Sequence, residues 1–285
     1  VSEARMTPEK PTQEGPTQEG RTQEKPTGEK PSVLHVTRDG AVATVRVDRP
    51  KVNAVDPAMI EEFLATLAPL AADPEVRCIV ITGTGRFFVA GADIAVMRDL
   101  SADNQARMRR WIHVQRVIEQ TPKPVVAAMN GHALGGGAEL SLACDLRILS
   151  TEATFGFPEM RLGLFPGAGG SQRLPRLVGP HLAKRLMIEG EQLTPQRALE
   201  LGLVDVVVEH AEFEATVAER ARRLAAQPTA GIGLLKRVVD EGYGLPLEQA
   251  LEREEKGVAD LIGTADAREG LQAFLDKRTP VFTGQ

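Results

Sequence analysis

The stretch that most limits what this chain can become runs over residues 125–145. An apolar run, Val125-Val126-Ala127-Ala128-Met129, reads as a buried strand that enters a turn at Asn130-Gly131. Gly135, Gly136 and Gly137 follow, then an apolar helical run over 138–144. Glycines there let backbone approach a ligand, and free N–H groups at a helix start favour negative charge. Glu139 falls in that first turn, so a carboxylate and backbone donors come together, as chemistry on an acyl carbonyl requires. The same residues also fit a plain architectural turn in which Glu139 complements the helix dipole. On this stretch alone both readings stand. A phosphate loop is disfavoured because no Gly-Lys-Ser/Thr follows, and a dinucleotide fingerprint because the spacing is not Gly-x-Gly-x-x-Gly.

The rest of the chain gives this stretch a parallel α/β setting. Residues 33–36 and 41–47 are β-rich runs split by Asp39-Gly40, a hairpin pattern. Asp56 can cap a helix with Pro57 at its first position, and Met59, Ile60, Phe63, Leu64 and Leu67 are spaced for one buried face. Residues 78–82 read as a strand apolar on both faces, and 87–94 as an apolar loop. Further strands are expected at 146–149 and 204–208. Strand and helix in alternation imply parallel strands with right-handed crossovers. From Gly170 onward the pattern is mainly helical, over about 170–189, 195–201, 211–226, 229–241, 246–262 and 265–277.

Residues 1–32 stand apart. Pro-Thr-Gln-Glu-Gly at 11–15 recurs at 16–20 and decays through Arg-Thr-Gln-Glu-Lys and Pro-Thr-Gly-Glu-Lys. So polar a repeat has nothing to bury, and a disordered tail is expected. It lacks the apolar segment of a secretory signal and is too acidic for a transit peptide. A net charge of −5 argues against non-specific nucleic-acid binding. No apolar run approaches a membrane span, and scattered histidines give no metal pattern. Cys78 and Cys144, in apolar runs, read as buried thiols, which suits a reducing compartment.

Two further pieces point to chemistry. Glu159, in Phe155-Gly156-Phe157-Pro158-Glu159, lies among Phe157, Met160 and Leu162, surroundings that raise a carboxyl pKa and suit an acid. A loop glutamate facing water is the plainer alternative. Ala90-Gly91-Ala92-Asp93 places small residues at a strand-to-helix junction, leaving the Ala92 N–H free. An oxyanion needs two such donors from separate loops, and the loops carrying Ala92 and Gly136 each follow a strand. In a parallel sheet both would emerge at the same carboxyl edge. Asp93 reads more simply as the N-cap of a helix starting at Ile94.

Taken in order, these motifs resemble the crotonase superfamily, and within it the enoyl-CoA hydratases, over nearly all of residues 33–285. The markers are Ala90-Gly91-Ala92-Asp93-Ile94, the run from Asn130 to Glu139, Phe155-Gly156-Phe157-Pro158-Glu159 and Pro166-Gly167-Ala168-Gly169-Gly170-Ser171-Gln172-Arg173-Leu174. The resemblance implies an α/β fold of repeated ββα units in a spiral core over 33–210. It also implies a C-terminal helical oligomerisation region over 211–285, in homotrimers that can pair. It implies a cytoplasmic enzyme of lipid metabolism whose substrate is a coenzyme A thioester, with no separate cofactor. The N–H groups of Ala92 and Gly136 would then form the oxyanion hole. Glu139 and Glu159 would be the catalytic pair, and Gly167 would help hold water. Ala90, Ala92, Asp93, Ile94, Gly136 and Lys277 would contact CoA or substrate.

There are two departures from the family pattern. Arg49-Pro50-Lys51-Val52-Asn53-Ala54 is one residue short, so the first CoA-contacting loop is expected to be reshaped. Phe157 stands where a polar residue is common, and a more apolar acyl pocket is expected. The leading reading is hydration of a trans-2-enoyl-CoA to a 3-hydroxyacyl-CoA. A Δ3,Δ2-enoyl-CoA isomerase using one carboxylate, and a non-catalytic acyl-CoA-binding scaffold, are the alternatives.

Overall fold

Asp39-Gly40 turns the chain back on itself, and the hairpin it makes opens the larger of two sheets. The computed structural model of the protein describes residues 31–285. The tail expected over 1–32 lies outside them except for its last two residues. The hairpin joins β1 (Leu34–Asp39) to β2 (Val42–Val47) in antiparallel register, Asp39 facing Val42. Helix α1 (Pro57–Ala72) follows, with the Asp56 carboxylate accepting from the Met59 N–H at 2.8 Å and Pro57 at the first position. Next come β3 (Cys78–Gly83), β4 (Phe87–Val89) and three helices, α2 (Ile94–Met97), α3 (Ala102–Arg109) and α4 (Trp111–Gln120).

The central glycine stretch contributes β5 (Val125–Met129), β6 (His132–Leu134) and α5 (Gly136–Leu142). After it run β7 (Leu146–Ser150), β8 (Phe155–Gly156), a 3₁₀ turn over Pro158–Leu162, α6 (Gly170–Val178) and α7 (Pro180–Glu189). The single helix expected over 170–189 is two, because Gly179 at φ 80° and Pro180 end one and begin the other. Then come β9 (Gln192–Leu193), α8 (Pro195–Glu200) and β10 (Val206–Val208). The C-terminal layer is α9 (Phe213–Ala225), α10 (Thr229–Gly242), α11 (Leu247–Ile262) and α12 (Ala265–Leu275). Among the described residues no helix is long and apolar enough to cross a membrane.

The large sheet has the order β1-β2-β3-β5-β7-β10, parallel from β2 onward. Alternation explains its unbroken apolar strands. Ile79 and Ile81 face a core shared with Phe63 of α1 and Trp111 of α4, while Cys78 and Val80 face Phe213 and Val217 of α9. Both thiols are buried and free, and burial pushes each up to about 12.

The small sheet, β4-β6-β8-β9, was not expected, since residues 87–94 read as a loop. Its strands are two or three residues long, too short to show a period. Each turn of the chain lays one strand in the large sheet and the next in the small one: β3 then β4, β5 then β6, β7 then β8. Helices close the turns. This is the repeated ββα spiral, and it stacks the ends of β4, β6 and β8, parallel neighbours, along one edge.

Candidate active site

Three loops leave that edge of the small sheet, and Ala90, Ala92, Gly136 and Glu159 lie on them. After β4 comes Ala90-Gly91-Ala92, after β6 Gly135-Gly136, and after β8 Phe157-Pro158-Glu159. The shared carboxyl edge is as anticipated, but it belongs to the small sheet and not to the strands at 78–83 and 125–129.

The Ala92 loop is held from behind. The Val55 N–H donates to Gly91 O at 2.8 Å and the Asp93 N–H to Val55 O at 2.8 Å, a parallel bridge in which Ala92 is the residue between. In such a bridge the middle residue's N–H faces away from the partner strand. Among the described residues neither the Ala92 nor the Gly136 N–H has a backbone acceptor. The two loops touch: a Cβ on Gly91 would stand 3.3 Å from the Gly136 nitrogen. Gly137 answers to packing and not to a ligand, because a Cβ there would lie 2.0 Å from Val89 O. The Trp111 indole N–H donates to Gly136 O at 3.1 Å, and its ring packs edge-on against Phe63 at 5.3 Å.

Glu139, nearly inaccessible, sits one turn into α5, its N–H on Gly135 O at 2.9 Å. Its Oε1 accepts from the Ala168 N–H at 2.8 Å and the Gly170 N–H at 2.9 Å. Burial pushes this carboxyl up, opposed by the Gly170 and Ala168 donors and by the charge of Arg173. Glu159 comes from the other side, its Oε1 3.0 Å from where a Cβ of Gly135 would stand. Among the described residues its buried Oε2 has no partner. Burial, with the charge of Glu139 adding to it, raises Glu159 to about 7. Of the two carboxyls, Glu139's is fixed by the Ala168 and Gly170 donors, and Glu159's stands against Gly135 within reach of the Glu139 charge.

The remaining expected residues are placed less directly. Gly167 lies in the turn whose next residue, Ala168, reaches Glu139. The Asp93 side chain caps α2, accepting from the Ala95 N–H at 3.0 Å, and its other oxygen lies 2.8 Å from Arg49, which holds it below the usual carboxylate range. Arg49 also reaches Asp56 and Ala54 O, so the shortened 49–54 loop is folded onto the Ala92 loop. Ala90 donates to Val52 O at 3.2 Å, and Ile94 is exposed. Lys277 follows α12, which packs on α10 and α11.

One expectation fails. Phe157 does not open onto a pocket: its ring is buried in the core, edge-on to Phe155 at 5.6 Å. The exposed apolar side chains near Glu159 are Met160, Leu162, Leu164 and Phe165. Sequence alone assigns no role to Ala168 and Gly170, whose amides reach Glu139. Their contact with Glu139 spans about thirty positions and leaves no local signal.

A spiral of ββα units carrying this edge defines the crotonase fold, and the chain belongs to the enoyl-CoA hydratase/isomerase family, whose model matches residues 37–285. The chain is 40% identical to the crotonyl-CoA hydratase of Syntrophomonas wolfei, over 86% of this chain and 95% of that protein. It is 38% identical to the 2,3-dehydroadipyl-CoA hydratase of Escherichia coli K12, over 89% of this chain and all of that protein. Among solved structures, the enoyl-CoA hydratase of Bacillus anthracis superposes with a TM-score of 0.85 at 36% identity, covering 89% of this chain and 100% of that one.

Proposed function

We propose that the protein adds water across the double bond of a trans-2-enoyl-CoA to give a 3-hydroxyacyl-CoA. The thioester oxygen is gripped by the N–H groups of Ala92 and Gly136, which stabilise the enolate-like charge as addition begins. Glu139, ionised, takes a proton from water as its oxygen bonds to the β-carbon. Glu159, protonated, delivers a proton to the α-carbon, so the sum is one water added. The N–H of Gly167 helps hold that water. Ala90, Asp93 and Ile94 flank the CoA, and Lys277 meets CoA phosphates, across a subunit boundary in a homotrimer or a dimer of trimers. The exposed apolar residues Leu271, Phe274 and Leu275 on α12 fit such an interface. The reaction needs no cofactor. We place it in the cytoplasm, in fatty-acid metabolism.

The observation that carries this reading is an unlike pair of carboxyls, Glu139 buried and held by backbone donors and Glu159 half-buried with an unpartnered oxygen, together with two free amides. An isomerase shifts its double bond with one carboxylate, whereas addition of water uses both. The test follows the loss of conjugated-thioester absorbance when the purified chain meets crotonyl-CoA, with a 3-enoyl-CoA run in parallel. Hydration supports the reading. Isomerisation without hydration, or CoA-ester binding without turnover, overturns it.

A further inference from the structure

Helix α4 presents Trp111, Gln115 and Glu119 one turn apart on one face. Trp111 holds Gly136, as described above. The other two hold Arg173 of α6. Glu119 receives a two-pronged bond, Nε to Oε1 at 2.6 Å and an Nη to Oε2 at 2.9 Å. The second Nη donates to Gln115 Oε1, and Gln115 is fully buried. That same Nη points to Ala168 O at 3.4 Å. The guanidinium thus lies beneath the turn whose Ala168 and Gly170 amides grip Glu139.

The turn is built to admit it. Gly169 adopts φ 107°, and a Cβ there would stand 1.7 Å from the Arg173 Nη. No side chain larger than hydrogen fits unless the guanidinium leaves. Gln115 also keeps a buried amide nitrogen without a partner among the described residues, an arrangement packing alone disfavours.

We propose that Arg173 is a positioning residue for the reaction: clamped by Glu119 and Gln115, it holds the 167–170 turn around Glu139 and keeps a positive charge behind that carboxylate. This rests on the hydratase reading. The charged groups around Glu139 are Arg173 from α6, Glu159 from the 3₁₀ turn and, behind Arg173, Glu119 from α4. From the small sheet β4 offers Phe87, Phe88 and Val89, and β6 offers His132, whose ring bonds Thr154. Arg173 is the one cation acting on Glu139 among the described residues.

The test compares pH–rate profiles for crotonyl-CoA hydration by the full chain and by Arg173→Gln, Arg173→Lys and Glu119→Gln. Hydration fails at low pH as Glu139 takes up a proton, so loss of the cation moves the acid limb of kcat upward. Arg173→Gln is expected to shift it by about one pH unit and to lower kcat roughly tenfold, with KM held within about twofold. Arg173→Lys, which keeps a charge but cannot fork, restores the limb while kcat stays reduced. An unmoved limb in Arg173→Gln, or a shift that Arg173→Lys leaves in place, overturns the proposal. Should Arg173→Gln not fold, Glu119→Gln decides: a less neutralised guanidinium moves the limb downward, and an unmoved limb overturns the role. Wild-type protein without hydration sinks the hydratase reading itself, a result distinct from active wild type with indifferent variants.

Discussion

The two sheets divide the work of the molecule. The large one is buried on both faces of its central strands β3 and β5, packed between α1 and α4 on one side and α9 on the other, and its strands carry no candidate site residue. The small one has strands of two or three residues, and at the ends of β4, β6 and β8 stand Ala92, Gly136 and Glu159. Stability is concentrated where chemistry is absent. The difference teaches that the spiral uses a long, redundant sheet to fix a short, exacting one, since strands this brief have too little ladder to hold themselves.

If the division is real, substitutions in the two regions separate cleanly. The largest effect is expected at Glu139→Gln, which keeps the shape and removes the proposed base. Hydration should fall by about 10²–10⁴-fold while the thermal midpoint stays near wild type. Glu159→Gln should lose activity in the same range. Comparable losses of stability in either variant would erase the distinction between the regions.

On the other side, Phe63→Ala removes a fully buried ring beneath the large sheet. It should cost about 3–5 kcal/mol in chemical denaturation. Because that ring also backs Trp111, kcat of the folded fraction sharpens the comparison: little change confines Phe63 to stability, a large loss shows that the two regions are coupled. Asp56→Ala, which strips the cap of α1, should cost only about 1 kcal/mol.

The pH response is the subtlest effect. As the proposed acid Glu159 acts protonated, and with its carboxyl raised to about 7, kcat/KM should decline as pH rises through that value. Bound acyl chain excludes more water and raises the carboxyl further, so the alkaline limb of kcat should lie higher than that of kcat/KM. Coincident limbs would mean that substrate does not desolvate this group.

The same division explains what the sequence made legible. The hairpin at Asp39-Gly40, the cap at Asp56-Pro57 and the strands of the large sheet announce themselves through turn chemistry, caps and apolar runs. The raised state of Glu159 matches the sequence reading, though its cause is burial with the charge of Glu139 adding to it, and not its chain neighbours Met160 and Leu162, which are exposed. Strands β4, β6 and β8 were not, because two or three residues carry no periodicity. The grip of Ala168 and Gly170 on Glu139 was invisible for a different reason: it joins a turn to a helix far back in the chain. Phe157 misled because a residue two positions from a glutamate need not share its surroundings: its ring is buried in the core, while Pro158 opens the 3₁₀ turn that carries Glu159.

Trp111 is the sole indole of the chain and is bonded to the carbonyl of Gly136. The protein therefore carries its own optical gauge on the same residue whose N–H is proposed to grip the thioester oxygen. Any ligand that tugs on that loop should alter the emission without a label being attached, so occupancy can be followed even in variants that no longer turn over.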